Sequence, residues 1–518
     1  MLKKYENFAL ILLIFFFISF DYSFKNYQKN FKYELSWDEV DYVNAAKEGL
    51  IENALETNSK NFIEFIKIGY GKIYIKDKIN IINQNDIIKL DKQKKDVFHL
   101  RHYHPPLLIY YLSFFTDDDI KIQDLKIKFA NNLLGYSILL FIFFFITYKK
   151  NFELVNKLSI FFLILIFLNS SIFQQSIAKI NFHIIFSLIL IFFSNSLIKL
   201  INNNNRKNKL NFIIASSLLL ISLETAIVVI LFGFFFLFYD NIKNKNSILN
   251  NFSILFLIFI IAFIFWPANL FNLTIFKTYL MYFYRFIFEN ANEYSDLDLI
   301  IFFKDVFYSN LILIISLFFV FLFNFRILLK KHTYKNIYLL LALIYFCFII
   351  FFAHNVSYIF PSLVLFIFFT TKVIVDSFFL KKYILLILFS LFIITFSSNI
   401  SKYATYQINN TNIEKLVNDI NSLKINNPKI LADGAHIIHY YSHFNYILNL
   451  DLYDKHNPKF YTKLNNTYYD LSYLLNNKFF DIIIIKKNRF FTLKELNNFY
   501  LLGYKLINNQ NYHILFIK

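Results

Sequence analysis

The chain has 518 residues, of which 57% are hydrophobic, 21% aromatic and only 17% charged, with 71 Phe and 7 Gly. Soluble domains carry about a quarter charged residues, so an ordinary soluble protein is excluded, and repeated apolar runs of roughly 15 to 20 residues make a polytopic membrane protein. The net charge of +18 does not call for a nucleic-acid partner, because much of the excess sits in short loops between apolar runs, where membrane topology accounts for it.

The start, Met1-Leu2-Lys3-Lys4 followed by Phe8–Phe20, lacks a small-residue cleavage site and predicts an uncleaved first spanning helix. Next comes an acidic tract, Leu35-Ser36-Trp37-Asp38-Glu39-Val40-Asp41-Tyr42, which runs on to Gly49. Ser36 followed by Glu39 is a capping box and Gly49 suits a helix end, so a short helix over Leu35–Gly49 is expected. One reading gives Glu39 to the cap and leaves Asp38 as a first-turn carboxylate favoured by the helix dipole. The other notes that Asp38, Asp41, Tyr42 and Ala45 fall on one face at i, i+3, i+4 and i+7. On that reading Asp38 serves as a general base for a hydroxyl acceptor. Further on stands Arg101-His102-Tyr103-His104-Pro105-Pro106-Leu107, where two prolines fix the chain direction at a membrane entry. Its Arg and His residues are either interfacial polar groups or ligands for phosphate. His102-x-His104 alone is weak evidence for a metal.

Apolar runs fall near 7–24, 129–148, 155–170, 180–200, 210–222, 226–239, 249–266, 307–325, 336–353, 358–375 and 381–397, which predicts about eleven spans. Lys149, Lys150, Lys157, Lys199, Arg206, Lys207, Lys209, Lys243, Lys245, Arg326, Lys330, Lys331, Lys335, Lys372, Lys381 and Lys382 all mark one set of alternate connections. The connections at Ser170–Ser176, Leu223–Thr225 and His354–Ser357 carry no Lys or Arg. The basic side is therefore read as cytoplasmic. The long segments 25–128, 267–306 and the tail from about Ser398 are then extracytoplasmic. The wealth of Lys, Asn, Ile, Phe and Tyr suggests a bacterial low-GC genome, and with it the inner membrane. The single cysteine, Cys347, lies in an apolar run, so neither an intrachain disulfide nor a paired-cysteine zinc site is available.

The tail is polar. Short β-like runs at Lys429–Ala432, Tyr446–Leu450, Asp481–Ile485 and Tyr512–Ile517, with helix-like stretches at Asn412–Leu423 and Tyr468–Asn476, predict a small α/β domain over 401–518. His436, His439 and His443 fall on one helical face near Asp433, but Tyr440, Tyr441 and Phe444 crowd the same stretch and favour a half-buried packing helix over a metal site.

The acidic tract followed by Pro-Pro-Leu, after one spanning helix, resembles the GT-C glycosyltransferases of the dolichyl-phosphate-mannose–protein mannosyltransferase type, whose bacterial relatives include lipid A aminoarabinose and core galacturonosyltransferases. Asp38-Glu39 and Pro105-Pro106-Leu107 stand where that family has its Asp-Glu pair and its Pro-Pro-Leu entry. Asp124–Leu140, Trp266-Pro267 and Tyr358-Ile359-Phe360-Pro361 are softer matches. Glu224 stands where the family often has Lys, and Ser357 where Arg precedes the Tyr. Attention for a phosphate site therefore shifts to Arg101, Lys277, Arg285 and Lys304, although an Arg among aromatics such as Arg285 is also an ordinary interfacial anchor.

The resemblance implies an all-α GT-C-like transmembrane domain over 1–400 with the α/β domain outside. It implies sugar transfer from a polyprenyl-phosphate donor to a lipid, glycan or protein acceptor, with inversion. Asp38 and Glu39 are then the expected catalytic pair. Asp41, Tyr42, Arg101, His102, His104, Glu224, Lys277, Arg285 and His354 are the expected substrate-binding residues. No cofactor or resident metal is assigned, and a divalent cation is the alternative to protein cations at the leaving phosphate. Membrane lipids are the other expected partners. The competing readings are a transporter or flippase, which calls for charged residues or broken helices within the spans, and a catalytically degenerate cell-envelope assembly protein.

Overall fold

Runs of Ile, Leu and Phe, seldom interrupted by Gly or Pro, leave the backbone one local way to satisfy its polar groups away from water, which is the helix. The computed structural model describes residues 2–27, 35, 37–55, 105–147, 153–243, 249–271, 276, 279–280, 283, 299–330, 336–352, 356–376, 381–405, 412–432, 435–442, 444, 446–449, 451–452, 460–464, 467–470, 478, 480–486, 503–508 and 512–517. It is mostly helical, with a small C-terminal sheet region.

Helix α1 (Leu2–Tyr27) is followed by the short α2 (Trp37–Lys47), α3 (Leu50–Leu55) and α4 (Leu107–Leu112). The long α5 (Ile120–Thr147) leads to α6 (Leu154–Leu168), α7 (Ser171–Ala178), α8 (Phe182–Asn202), α9 (Arg206–Leu220) and α10 (Ala226–Lys243). Then come α11 (Leu249–Phe265), α12 (Ala268–Phe271), α13 (Leu299–Ser309), α14 (Leu311–Lys330), α15 (Asn336–Phe352), α16 (Val356–Asp376) and α17 (Lys381–Thr405).

The count of eleven spans is not confirmed among the described residues. Among the described residues, five helices are long and apolar enough to cross a membrane: Tyr5–Ser23, Ile122–Phe145, Phe182–Asn202, Tyr358–Val375 and Lys381–Ser398. Counting two bent pairs as one span each gives up to 7. Length and interruption explain the difference. The run expected at 155–170 continues past a 58° bend into α7, so the expected connection at Ser170–Ser176 is itself largely helix. The run at 307–325 bends by 77° between α13 and α14. Helix α9 has 15 residues and opens on Arg206, Lys207, Asn208 and Lys209. At about 1.5 Å per residue it falls short of an apolar layer of roughly 30 Å. Within α10, α11 and α15, the stretches Ala226–Tyr239, Phe252–Phe265 and Ile337–Phe351 are apolar among the described residues.

Helix α8 is the axis of the bundle. It packs against α9, α16, α10, α5 and α15, and Ile184, Phe186, Leu190, Ile191, Phe193 and Leu197 are wholly buried along it. Helix α6 packs along α17 and α1. Gly135 lets α5 approach α7: a Cβ added there would lie well inside van der Waals contact with Ile177.

The C-terminal region holds α18 (Asn412–Ser422), β1 (Lys429–Ala432), α19 (Ala435–Tyr441), β2 (Tyr446–Asn449), β3 (Asp451–Leu452), β4 (Phe460–Leu464), β5 (Thr467–Asp470), β6 (Ile482–Lys486), β7 (Lys505–Asn508) and β8 (Tyr512–Phe516). Five strands form a sheet in the order β2-β1-β6-β8-β7. The β2-β1-β6 part is parallel and the β6-β8-β7 part antiparallel. Leu416 and Ile420 of α18 pack on Ile430, Ile482, Ile484 and Ile514 of this sheet. The α/β expectation therefore stands, with one correction. The helix expected over Tyr468–Asn476 is absent where it is described: Thr467–Asp470 is a strand, paired antiparallel with β4, and β3-β4-β5 make a second small sheet. Tyr468-Tyr469 favour a strand, and Asn465-Asn466 between Leu464 and Thr467 are residue types that suit a tight hairpin.

Candidate functional site

Helix α2 carries the acidic tract. It ends as its sequence indicates: Glu48 and Gly49 donate their N–H groups back to Ala45 and Ala46, and Gly49 takes the left-handed φ of +94°. Asn53 of α3 then donates to Ala45 O (2.5 Å) and Gly49 O (2.8 Å), which ties the two short helices into one corner.

Glu39, Tyr42, Val43 and Ala46 form the buried side of α2, with Val40 beside them. Glu39 is 1% exposed, and its Oε1 accepts the Ile180 N–H at 2.7 Å. Ile180 lies in the turn between α7 and α8, so a carboxylate from α2 ties down that turn. Tyr42 packs edge-on against Phe182, with ring centroids 4.8 Å apart. Tyr42 and Ala45, which share a face with Asp38 and Asp41 by their spacing, are buried. Asp38 and Asp41 are part of the helix, Asp38 in its first turn, but their side chains lie outside the described residues.

The turn beneath is held from several sides. Asn131 of α5 donates to Ile177 O (2.8 Å) and Lys179 O (3.1 Å), the carbonyls at the end of α7. Asn310, at the break between α13 and α14, accepts the Ile172 N–H at 2.9 Å in the first turn of α7. Gln174 of α7 donates to Asp21 of α1 (3.3 Å), which also accepts from Tyr136 at 2.6 Å. Both ends of this eight-residue helix are thus satisfied by side chains from other helices.

The Pro-Pro-Leu tract comes to the same end of the bundle. Pro105 and Pro106 offer no N–H, and the first donor after them, Leu107, bonds Ile221 O at 3.2 Å. Helix α4 packs against α2 and α3 through a side that buries Leu108, Ile109 and Leu112. Ile221 belongs to the corner between α9 and α10, which also holds Glu224, 4% exposed. Beside it, Thr225 Oγ1 and Tyr345 Oη are 2.9 Å apart, and Tyr279 Oη donates to Leu220 O at 3.3 Å. Burial first, and the charge of Glu224 second, push the Tyr279 phenol well above its ordinary value. The Tyr-x-x-Pro stretch joins here as well: the Tyr358 ring lies 4.3 Å from that of His183, in the first turn of α8.

The structure thus brings Glu39, Tyr42 and Glu224, the Pro-Pro-Leu segment and Tyr358 around the first turns of α8. Arg101, His102, His104, Lys277, Arg285 and His354 lie outside the described residues, as does His443. Lys304 is exposed on α13. His436 and His439 are on α19, whose Ile437, Ile438 and Tyr440 are buried. Among the described residues, no group of three or more His, Cys, Asp and Glu could hold a metal ion.

Sequence reasoning missed His183, although Asn181, which accepts the His183 N–H, marked the start of its helix. It also missed Tyr110 of α4. Burial pushes that phenol upward, and its oxygen has no hydrogen-bond partner among the described residues. Asn131 and Asn310 carried no local signal, because their partners are 46 and 138 positions away. Comparison of the chain with protein-family models, with curated proteins and with solved structures gives no match.

Proposed function

We propose that the chain is a membrane glycosyltransferase that moves a sugar from a polyprenyl phosphate to a hydroxyl acceptor, with Asp38 as general base. The observation that carries this reading is the meeting of the two tracts that suggested it. Helix α2 and the Pro105–Leu112 segment pack together at one end of the bundle, over the first turns of α8. That end also bears the α/β domain, and on the charge pattern of the loops it is the extracytoplasmic end.

In the proposed reaction the acceptor O–H gives its proton to the Asp38 carboxylate as its oxygen bonds to the anomeric carbon. The bond from that carbon to the phosphate oxygen breaks, and the polyprenyl phosphate leaves with the electron pair. The configuration inverts. Asp38 stands in the first turn of α2, where the helix dipole favours its ionised form. Glu39, committed to Ile180, is the strut that holds this turn. The leaving phosphate needs a cation, and Arg101, Lys277 and Arg285 are the candidates.

The test uses purified protein in lipid nanodiscs, a panel of polyprenyl-phosphate sugars and lipid acceptors. Wild type is expected to transfer sugar, and Asp38→Asn to lose about 10²- to 10⁴-fold in rate. Equal transfer by Asp38→Asn would remove the base assignment.

A transporter is the second reading. It is favoured by the 58° break between α6 and α7, beside the buried Asp21 that accepts from Tyr136 and Gln174. Solute uptake by proteoliposomes, without transfer from any donor in the panel, would select it.

A further inference from the structure

Helix α19 serves two cores. Ile438 belongs to the core of the α/β domain, whereas Ile437 and Tyr440 belong to the core of the helical bundle, with Tyr441 packed against it. The residues turned to the bundle are spaced i, i+3 and i+4 along one face. At that face two phenols converge on one carboxylate. Tyr440 Oη donates to Asp124 Oδ1 at 2.8 Å, and Tyr441 Oη to Asp124 Oδ2 at 3.0 Å. The same Tyr441 oxygen accepts the Leu35 N–H at 2.8 Å, two residues before α2 begins. At the other end of α2, the Lys47 ammonium lies 5.6 Å from the centroid of the Tyr440 ring.

Asp124 sits at the start of the long α5, and the cations that face it are Lys128, one turn along, and Lys47 of α2. Burial first, and the Asp124 charge second, push the Tyr440 phenol well above its ordinary value, so it keeps its proton and can donate it to Asp124. A carboxylate taken partly out of water is tolerated when each oxygen receives a charge-assisted hydrogen bond. Here both donors come from the domain. Helix α2 lies against α19 on one side and α4 on another, and is touched by the domain's tyrosines near each of its ends.

We infer that Asp124, Tyr440 and Tyr441 form a latch through which the C-terminal domain sets the position of helix α2, and so of the carboxylate in its first turn. The three are positioning residues. The latch stands on its own geometry, and only its consequence for sugar transfer rests on the proposed function. Tyr441 is the most informative member, because one oxygen joins the carboxylate of α5 to the backbone ahead of α2.

The test is hydrogen exchange on the full chain in nanodiscs, comparing wild type with Tyr441→Phe, Asp124→Ala and Asp124→Asn. Lys381→Ala is the control, because the ion pair it breaks, with Glu153 just before α6, involves none of α2, α5 and α19. Tyr441→Phe and Asp124→Ala are expected to speed exchange across Trp37–Lys47 by about tenfold while leaving α8 unchanged. Asp124→Asn keeps one acceptor and is expected to restore part of the protection. Unchanged exchange in α2 overturns the latch. So does equal loss in α2 and α8, which would mean general destabilisation. Where wild type transfers sugar, Tyr441→Phe should lower kcat about tenfold with the donor KM held, and an unchanged kcat overturns the positioning role. Where wild type transfers nothing, the functional reading fails and the exchange experiment alone decides the latch.

Discussion

Glu39 shows how a residue adjacent to the proposed base can be held in a different task. Its carboxylate is buried and accepts the Ile180 N–H. Glu39→Ala would leave that buried N–H without its acceptor, at a cost of about 1–3 kcal/mol, and should lower the melting temperature of the purified protein. Glu39→Gln keeps an oxygen in place and should melt closer to wild type while retaining transfer. Loss of transfer in Glu39→Gln as deep as in Asp38→Asn would give Glu39 a chemical role. The capping box in the sequence marked Glu39 as a helix-start residue, and a helix does begin there. What the box did not contain was Ile180, which is 141 positions away.

Among the elements, α7 is the one whose form the sequence concealed most. Its residues extend an apolar run, and the signals at its start, Asn169-Ser170-Ser171, mark a break without specifying the conformation beyond it. The chain resumes there as a short helix, because Ser170 caps it and because Asn310, Gln174 and Asn131 satisfy or tether it. Such support is assembled only in three dimensions. The close approach of α5 to this helix depends on Gly135. Gly135→Ala must displace the branched side chain of Ile177 and should cost about 1–3 kcal/mol, read as a lower midpoint of thermal unfolding in nanodiscs. By contrast, β1 spans Lys429–Ala432 as its residues suggest, because a buried strand of Lys-Ile-Leu-Ala carries its own pattern. Tyr468 and Tyr469 were misjudged because a short segment with mixed polarity fits either period until its partner strand is known.

For the molecule as a whole, the helical bundle and the α/β domain have separate cores joined through α18 and α19. Their responses to pH should differ accordingly. Tyr504, 2% exposed, donates to Phe480 O at 3.1 Å, and burial first, with Asp481 second, pushes its phenol up to about 12. A raised phenol contributes stability that is intact below its ordinary value of about 10 and fades as pH climbs towards 12, because the unfolded chain releases the proton first. Hydrogen exchange in β6 and β8 should therefore accelerate over that range, with a shallower rise in Tyr504→Phe. Identical slopes in the two proteins would refute this. The division into a greasy bundle and a polar tail was plain from composition. The reach of the tail back to Asp124 was not, since Tyr440 and Asp124 are 316 positions apart.

Asn53 makes the corner between α2 and α3 self-supporting, and α3 in turn rests on α4. The described residues that end at Leu55 and resume at Pro105 are therefore held at neighbouring points. With two ends moored side by side, doubling the number of residues between them adds only about 0.6 kcal/mol of closure entropy. An insertion between these two points should therefore leave the acidic helix in its seat.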